Sequence, residues 1–442
     1  SSDVCSSDLP KSILFFIINF KKKLINFVLI NKYQNIYYQK IKSLYIKMKF
    51  VHILLLVLVS SISTLTYTGH ELVLNDAKST IDGETVSSTP KNGVSYSNSV
   101  LYISESGTYI ISGTLNGQMS VSVSGTIELV LNGAAIKTSS TNALIILKAY
   151  EMDSSTTMTY STAKKLDFNS AGVKVIIADG TENTISGASS TSYDGAIHSE
   201  VSILFTGETS GTGVLNVIST SEGIESKRHI LVNGGIIKIA AQDDGMNAKK
   251  DNLSVAYIKG GKVWVNAGLG QEGDGVDSNG FVIVEGGQAI IEAKPQADSG
   301  LDSNSGIYVD GGIVYATGTS MDMAETDSAA PTMNLIFNSQ IAASSTVVIK
   351  DSSGNEVISY SANSADYPSG TSRQAYKAAI VTHTSFKANS VYHLYVDGVQ
   401  YGYTSNDKPR PGPFAKKNLQ ATVYADFTLS SGATYFNGIQ KK

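Results

Sequence analysis

Paired glycines recur at 234–235, 260–261, 286–287 and 311–312, so successive pairs lie 26, 26 and 25 residues apart. Self-similarity at a period of roughly 20–50 residues predicts a solenoid, in which each unit buries its apolar face only against its neighbours. Aligned on these hinges, the preceding residues form two apolar columns, Val232, Ile258, Val284, Val309 and Ile230, Ala256, Val282, Ile307. Two more follow the hinge: Ile237, Val263, Ala289, Val314 and Ile239, Val265, Ile291, Ala316. Alternation with a period of two puts each set on one face of a short strand. Residues between the columns are mostly polar and are expected to face outward. Because like residues lie a full unit apart, the pattern favours parallel stacking at about 4.8 Å per rung over local hairpins. The fold expected is all-β, a right-handed parallel β-helix with a C-terminal β-rich cap.

A second phrase recurs between the hinges: Glu222-Gly-Ile-Glu-Ser-Lys, Asp244-Gly-Met-Asn-Ala-Lys, Asp274-Gly-Val-Asp-Ser-Asn and Ser299-Gly-Leu-Asp-Ser-Asn. A degenerate copy, Gly195-Ala-Ile-His-Ser-Glu, lacks the leading acid. Stacked rung on rung, the first slot holds Glu222, Asp244 and Asp274, with Asp298 beside Ser299 and Asp243 beside Asp244. The fourth slot holds Glu225, Asn247, Asp277 and Asp302, preceded by His198. Two carboxylates about 5 Å apart repel by about 1 kcal/mol in water and about 3 kcal/mol at an effective dielectric near 20. Such a ladder needs protonation, basic neighbours or a cation. Calcium suits it, since calcium takes oxygen ligands from carboxylates, amides and backbone. With histidine sparse and cysteine confined to Cys5, zinc and copper suit it poorly. The competing reading is that Asp-Gly and Glu-Gly make turns whose exposed carboxylates are screened by salt.

Basic residues flank two rungs only, Lys227-Arg228 and Lys249-Lys250. They could hold sugar carboxylates and hydroxyls, or balance the acids beside them. Trp264, the single tryptophan, alternates outward between Val263 and Val265, in a column with Lys238, Ile290 and Tyr315. Trp264 and Tyr315 could stack on sugar rings, or pack beneath the cap.

Charge narrows the partners. From Gly69 onward there are 25 basic and 36 acidic residues, a formal charge of −11. That argues against nucleic acid, whose phosphates need a basic footprint. The body holds no cysteine, which excludes disulfides, thiolate metal sites and a cysteine nucleophile there.

In chain order, residues 1–47 read as non-native upstream translation: an adapter-like Ser1–Leu9, then a stretch rich in Ile, Asn, Lys, Tyr and Phe. Residues 48–68 read as a signal peptide, with Lys49 before the apolar run Ile53–Val59 and small residues after it. Residues 69–99 read as a polar segment. Residues 100–330 form the expected β-helix, interrupted by an insertion loop at 152–164. Residues 331–404 form the cap, with a hairpin signal at Lys350–Glu356. Residues 405–442 read as linker and loose tail. Asn252-Leu-Ser is a lone glycosylation sequon.

Gly107-Thr-Tyr-Ile-Ile-Ser-Gly-Thr-Leu-Asn-Gly117, Ile127-Glu-Leu-Val-Leu-Asn-Gly133 and Gly180-Thr-Glu-Asn-Thr-Ile185 resemble the opening motifs of a secreted carbohydrate-binding β-helix family of plant-degrading microbes. The phrases at Glu222 and Asp244 resemble its signature rungs. The family is typified by a clostridial cellulose- and polygalacturonate-binding protein. The resemblance covers about residues 71–400. It implies a fold similar to pectate lyases, several calcium ions, and adhesion to plant cell-wall polysaccharide. Asp243-Asp-Gly-Met-Asn247 also resembles the calcium cluster of family-nine pectate lyases, where the last position is usually Asp, so Asn247 removes one charge.

The function expected is that of a secreted monomer, free or held at the cell surface, that binds cellulose or pectin through calcium without turnover and contacts neither nucleic acid nor, after signal cleavage, membrane. Its sugar contacts would be Lys227, Arg228, Lys249, Lys250, Trp264 and Tyr315. One rival is a calcium-dependent lyase using Lys227, Lys249 or Lys250 as the base. A second rival is a purely structural surface adhesin.

Overall fold

The computed structural model describes residues 67–294, 298–320, 322–361, 367–368, 370–406 and 425–442. The expected upstream segment, nearly all of the signal peptide and the Pro-rich stretch at 407–424 lie outside the described residues. The chain divides into Ser1–Thr66 and Tyr67–Lys442, and the second unit is described below.

That unit is all-β. Among the described residues the only helical turns are Asp76–Lys78, Tyr160–Ala163 and Phe168–Ser170, and no helix is long and apolar enough to cross a membrane. The repeats build three parallel ladders, which the chain visits in turn. Before the hinge, Ile203–Gly207, Ile230–Ala241, Val255–Asn266, Phe281–Val284 and Gly306–Val309 pair in parallel. After it, Val214–Ser219 pairs with Ile230–Ala241, which continues through Val255–Asn266, Gln288–Glu292 and Ile313–Gly318. The third ladder stacks the repeated phrase as Ile197–Ser199, Ile224–Ser226, Met246–Ala248, Val276–Ser278 and Leu301–Ser303. All four apolar columns keep the register read from the glycine spacing: Val232 faces Ile258, Ile258 faces Val284, and Val263 faces Ala289. Their side chains join one continuous buried cluster that begins at Leu72.

The hinge glycines have a backbone reason. Gly235, Gly261, Gly287 and Gly312 all take φ between +69° and +80°, where a side chain is strained. The chain can thus bend between two ladders without leaving its rung.

Earlier rungs follow the same scheme with less regular spacing. Gly107–Asn116 and Ile127–Lys137 pair in parallel and run across a hinge, and Val173–Ile177 and Glu182–Gly187 continue the two ladders. The segment at 69–99, read as merely polar, begins with the strand His70–Asn75, which pairs in parallel with Gly107–Asn116. Leu72 and Leu74 point into the core, so this strand closes the first end of the stack.

One outward face also differs from expectation. Leu231, Tyr257 and Ile283 point away from the central core yet are buried, because the end of the insertion and the residues after it fold over them with Ala163, Phe168 and Ala171. Tyr160 anchors this flap by stacking on Tyr308 at 3.7 Å and donating a hydrogen bond to Asp310 (2.6 Å). Lys164 pairs with the same carboxylate at 2.8 Å. Tyr160→Ala is expected to cost about 2 kcal/mol, from one lost hydrogen bond to a charged group and one stacked pair. Urea denaturation followed by circular dichroism measures it.

The cap extends the ladders. Tyr376–Thr382 pairs antiparallel with the last rung strand, Ile313–Gly318, and with Thr332–Ile341. The hairpin expected at Lys350–Glu356 joins Val347–Asp351 to Glu356–Tyr360. At the joint Glu292 is wholly buried, accepting hydrogen bonds from Tyr360 (2.6 Å), Tyr367 (2.7 Å) and the Gln374 N–H (2.6 Å), with the Arg373 guanidinium 3.5 Å away. The loose tail expected to the end of the chain is corrected at 425–442. Ala433–Lys441 is a cap strand, parallel to Thr332–Ile341, and it buries Phe436 and Ile439 in the cap core.

Candidate functional site

The recurring acidic residues come together as a wall on the outside of the third ladder and in the turn leading into it. Each phrase glycine makes this possible. Gly223 donates its N–H to the Asp244 carbonyl (2.8 Å) and Gly245 to that of Asp274 (2.9 Å), so turns stack directly on turns. The serine two residues into the strand closes the far side: Ser226 Oγ accepts the Arg228 N–H (3.0 Å), and Ser278 Oγ accepts that of Gly280 (3.2 Å). The acids between are therefore held in register. His198 faces Glu225, Glu225 faces Asn247, Asn247 faces Asp277, and Asp277 faces Asp302.

Within the wall the acids divide by how well the protein itself satisfies them. Glu225 is fully partnered. Its Oε2 lies 2.9 Å from His198 Nδ1 and accepts the Asp194 N–H (2.9 Å), while Oε1 pairs with Lys249 at 3.3 Å. Glu222 is not. Its Oε1 accepts from the Asn247 amide (3.1 Å), but its buried Oε2 has no partner, and neither has the buried Oδ1 of Asn247. The same Asn247 amide also donates to Asp244 Oδ2 (3.0 Å). Asp244 and Asp274 each use one oxygen on the next rung, accepting the N–H of Asp274 (2.7 Å) and of Ser299 (2.6 Å). Asp298 accepts the Gly273 N–H (2.8 Å).

Burial and mutual repulsion act strongly on these groups. Burial first, and then the Glu225 and Asp244 charges, push Glu222 up to about 9. Burial also raises Asp274 to about 8 and Asp277 to about 7, with neighbouring carboxylates adding to it in each case. Asp244 rises to about 6, mainly by burial and against the Asp274 N–H. Asp243 and Asp302 are raised for the same leading reason, with Asp322 adding its charge at Asp302. Within the wall, Glu222 and Asp274 are thus disfavoured in their charged form at neutral pH.

The donor set fits a hard cation: carboxylate and amide oxygens without sulfur, including two buried oxygens that lack any partner. Among the described residues no three His, Cys, Asp or Glu side chains by themselves gather around one point that could hold an ion, so Asn247 and backbone oxygens would have to contribute. Glu222, Asp244, Asn247, Asp274 and Asp277 are the residues that would hold it. Glu225, already satisfied, serves instead to fix His198 and Lys249.

The basic residues expected to meet a ligand are largely engaged. Lys227 pairs with Glu200 at 2.8 Å, and Lys249 with Asp194 at 2.8 Å. Arg228 donates to the carbonyls of Asp153 and Ser155 in the insertion. Lys250 is exposed, and its N–H donates to Ser254 Oγ (2.7 Å). Burial works against the Lys249 charge, but the bond to Asp194 and the Glu222 and Glu225 carboxylates hold its ammonium above the ordinary lysine range. Of the two readings open for Tyr315, the sugar contact is corrected and packing beneath the cap holds: it is 2 % exposed and stacked on Tyr360 at 3.9 Å. Trp264 is half-buried, edge-on to Tyr367 at 5.8 Å.

Asp194 went unrecognised in the sequence because the degenerate phrase carries one extra residue there. Gly195, at φ +83°, takes up the extra length, and the acid still reaches Lys249 two rungs on. The Asp194-Gly195 pair was the available signal.

Residues 97–389 match the family described as carbohydrate-binding domain-containing protein. Among solved structures, the polysaccharide lyase-like protein from C. thermocellum, in a gadolinium derivative, matches at 20 % identity and a TM-score of 0.32. The match covers 55 % of this chain and 93 % of that one. No curated protein matches this sequence.

Proposed function

This chain belongs to the carbohydrate-binding domain-containing family, and on that premise we propose that it is a secreted, calcium-binding protein that adheres to plant cell-wall polysaccharide without turning it over. In this reading the three parallel ladders form a right-handed β-helix, and the protein acts as a monomer. One observation carries the metal: a stack of buried carboxylates raised far from their ordinary range, with Glu222 Oε2 and Asn247 Oδ1 unpartnered among them. Calcium, when bound, would cancel the charge of the wall and offer a positive point to the carboxylates and hydroxyls of pectin or to the hydroxyls of cellulose. The chain's own part is to hold the oxygens in register and to keep Lys249 charged.

Binding without turnover is favoured by the state of that lysine. β-Elimination needs a neutral base, and a lysine held charged by two flanking carboxylates is a poor one. The test is to incubate the protein with polygalacturonate and with cellulose, in calcium or in chelator, while following sedimentation and unsaturated-product absorbance together. Calcium-dependent co-sedimentation with flat absorbance is expected. Steady product formation would sink the binding-only reading, and sedimentation indifferent to chelator would sink the calcium.

A further inference from the structure

The outer face of the post-hinge ladder is only partly covered by the cap. Between that face and the cap segment at 357–361 lies a cleft of about 630 Å³, within the size range of small-ligand sites. Its floor is set by the register: Lys238 faces Trp264 and Trp264 faces Ile290, with Lys262 and Gln288 in the neighbouring column. The cap covers the higher rungs of this face, where Tyr315 and Glu292 are buried. At the lower rungs it leaves Trp264 half-buried and Lys262 exposed. His383 lines the cleft from the cap side. Its Nδ1 accepts the Ser385 N–H (3.1 Å), so Nε2 carries the proton and can donate.

The charge of this cleft runs against that of the protein. From Gly69 onward the chain has a formal charge of −11, yet among the described residues the cleft is lined by two lysines and a histidine and by no Asp or Glu. The Trp264 indole, set at 72° to the Tyr367 ring, lines the cleft as a rigid apolar plate with polar groups at its margin. A flat apolar plate flanked by cations matches a sugar ring that bears a carboxylate.

We propose that this cleft seats a short stretch of acidic, uronate-containing polysaccharide, stacked on Trp264 with Lys262 as its carboxylate partner. The proposal rests on the carbohydrate-binding reading and adds a second contact for the sugar, on a different ladder from the acidic wall.

Trp264 is the single tryptophan, so its fluorescence reports this cleft alone. The protein in calcium buffer is titrated with tetragalacturonate, with iodide as quencher, and polygalacturonate co-sedimentation is measured in parallel. A saturable emission shift with reduced quenching is expected. Lys262→Glu, an exposed change that leaves the core untouched, should weaken both signals by about tenfold, the worth of one charge-assisted contact. Undiminished co-sedimentation of that variant, with Trp264 unresponsive at saturation, would overturn the cleft while leaving carbohydrate binding intact. A response to cellotetraose but not to tetragalacturonate would overturn the acidic ligand. No binding by either readout would remove the carbohydrate-binding reading and the cleft with it.

Discussion

Gly245→Val is expected to abolish soluble expression or to cost more than about 4 kcal/mol, the range of severe core overpacking. A Cβ at Gly245 would lie 2.2 Å from Val265 Cγ1 and 2.5 Å from the Gly275 carbonyl oxygen. Neither neighbour can withdraw. Val265 belongs to an inward column of the post-hinge ladder, and Gly275 is the equivalent turn one rung on. The glycine of the acidic phrase is thus demanded by stacking, whatever the acids beside it do. Asp244→Asn alters the acid at the same turn without adding volume, and it is expected to leave the fold in place. Thermal melts of the two variants, read by circular dichroism, separate these roles. A Gly245→Val protein melting within a few degrees of wild type would show that the turns do not stack as described.

Without calcium, stability is expected to fall as pH rises from about 4 to about 9, opposite to the usual behaviour of paired carboxylates. Glu222 is raised to about 9, Asp274 to about 8 and Asp277 to about 7, whereas an unfolded chain loses the same protons near pH 4. Folding therefore takes up protons in this window. The contribution is complete below about pH 4 and is lost progressively as pH climbs through the folded values. On the proposed reading calcium takes the ionised form, so its stabilising effect should grow over the same window. A hundredfold excess over Kd adds about 2.7 kcal/mol per site, several degrees in Tm. Melts at pH 5, 7 and 9 in calcium and in chelator should diverge with rising pH. Parallel curves would mean that the wall is neutralised some other way.

How much of this was legible in the sequence depends on where each residue finds its partner. The inward columns and the two acidic slots were legible because their partners lie one repeat away, at the spacing set by the glycine pairs. His198 over Glu225 is read the same way. Residues whose partners lie far off the repeat were not. Leu231, Tyr257 and Ile283 break the polar pattern because a flap from residues 160–171 covers them. For Tyr315 the outward alternation left a sugar and the cap equally open, and only the structure supplies Tyr360 and Tyr376 as its partners. Ala433–Lys441 looked like tail because its partner strand, Thr332–Ile341, starts about a hundred residues earlier. Asn247 is a different case. By residue type it is a lost charge, yet in place its amide joins Glu222 to Asp244 and leaves its own oxygen open.

The central claim is that the wall from Glu222 to Asp277 holds calcium. Calcium titration of chelator-stripped protein by isothermal calorimetry tests it most directly, with Asp274→Asn/Asp277→Asn as the comparison. The account predicts saturable binding to the native protein, strengthening from pH 5 to pH 8 and weakened at least tenfold in the double variant. Absence of binding at millimolar calcium, or equal binding by the double variant, would contradict it.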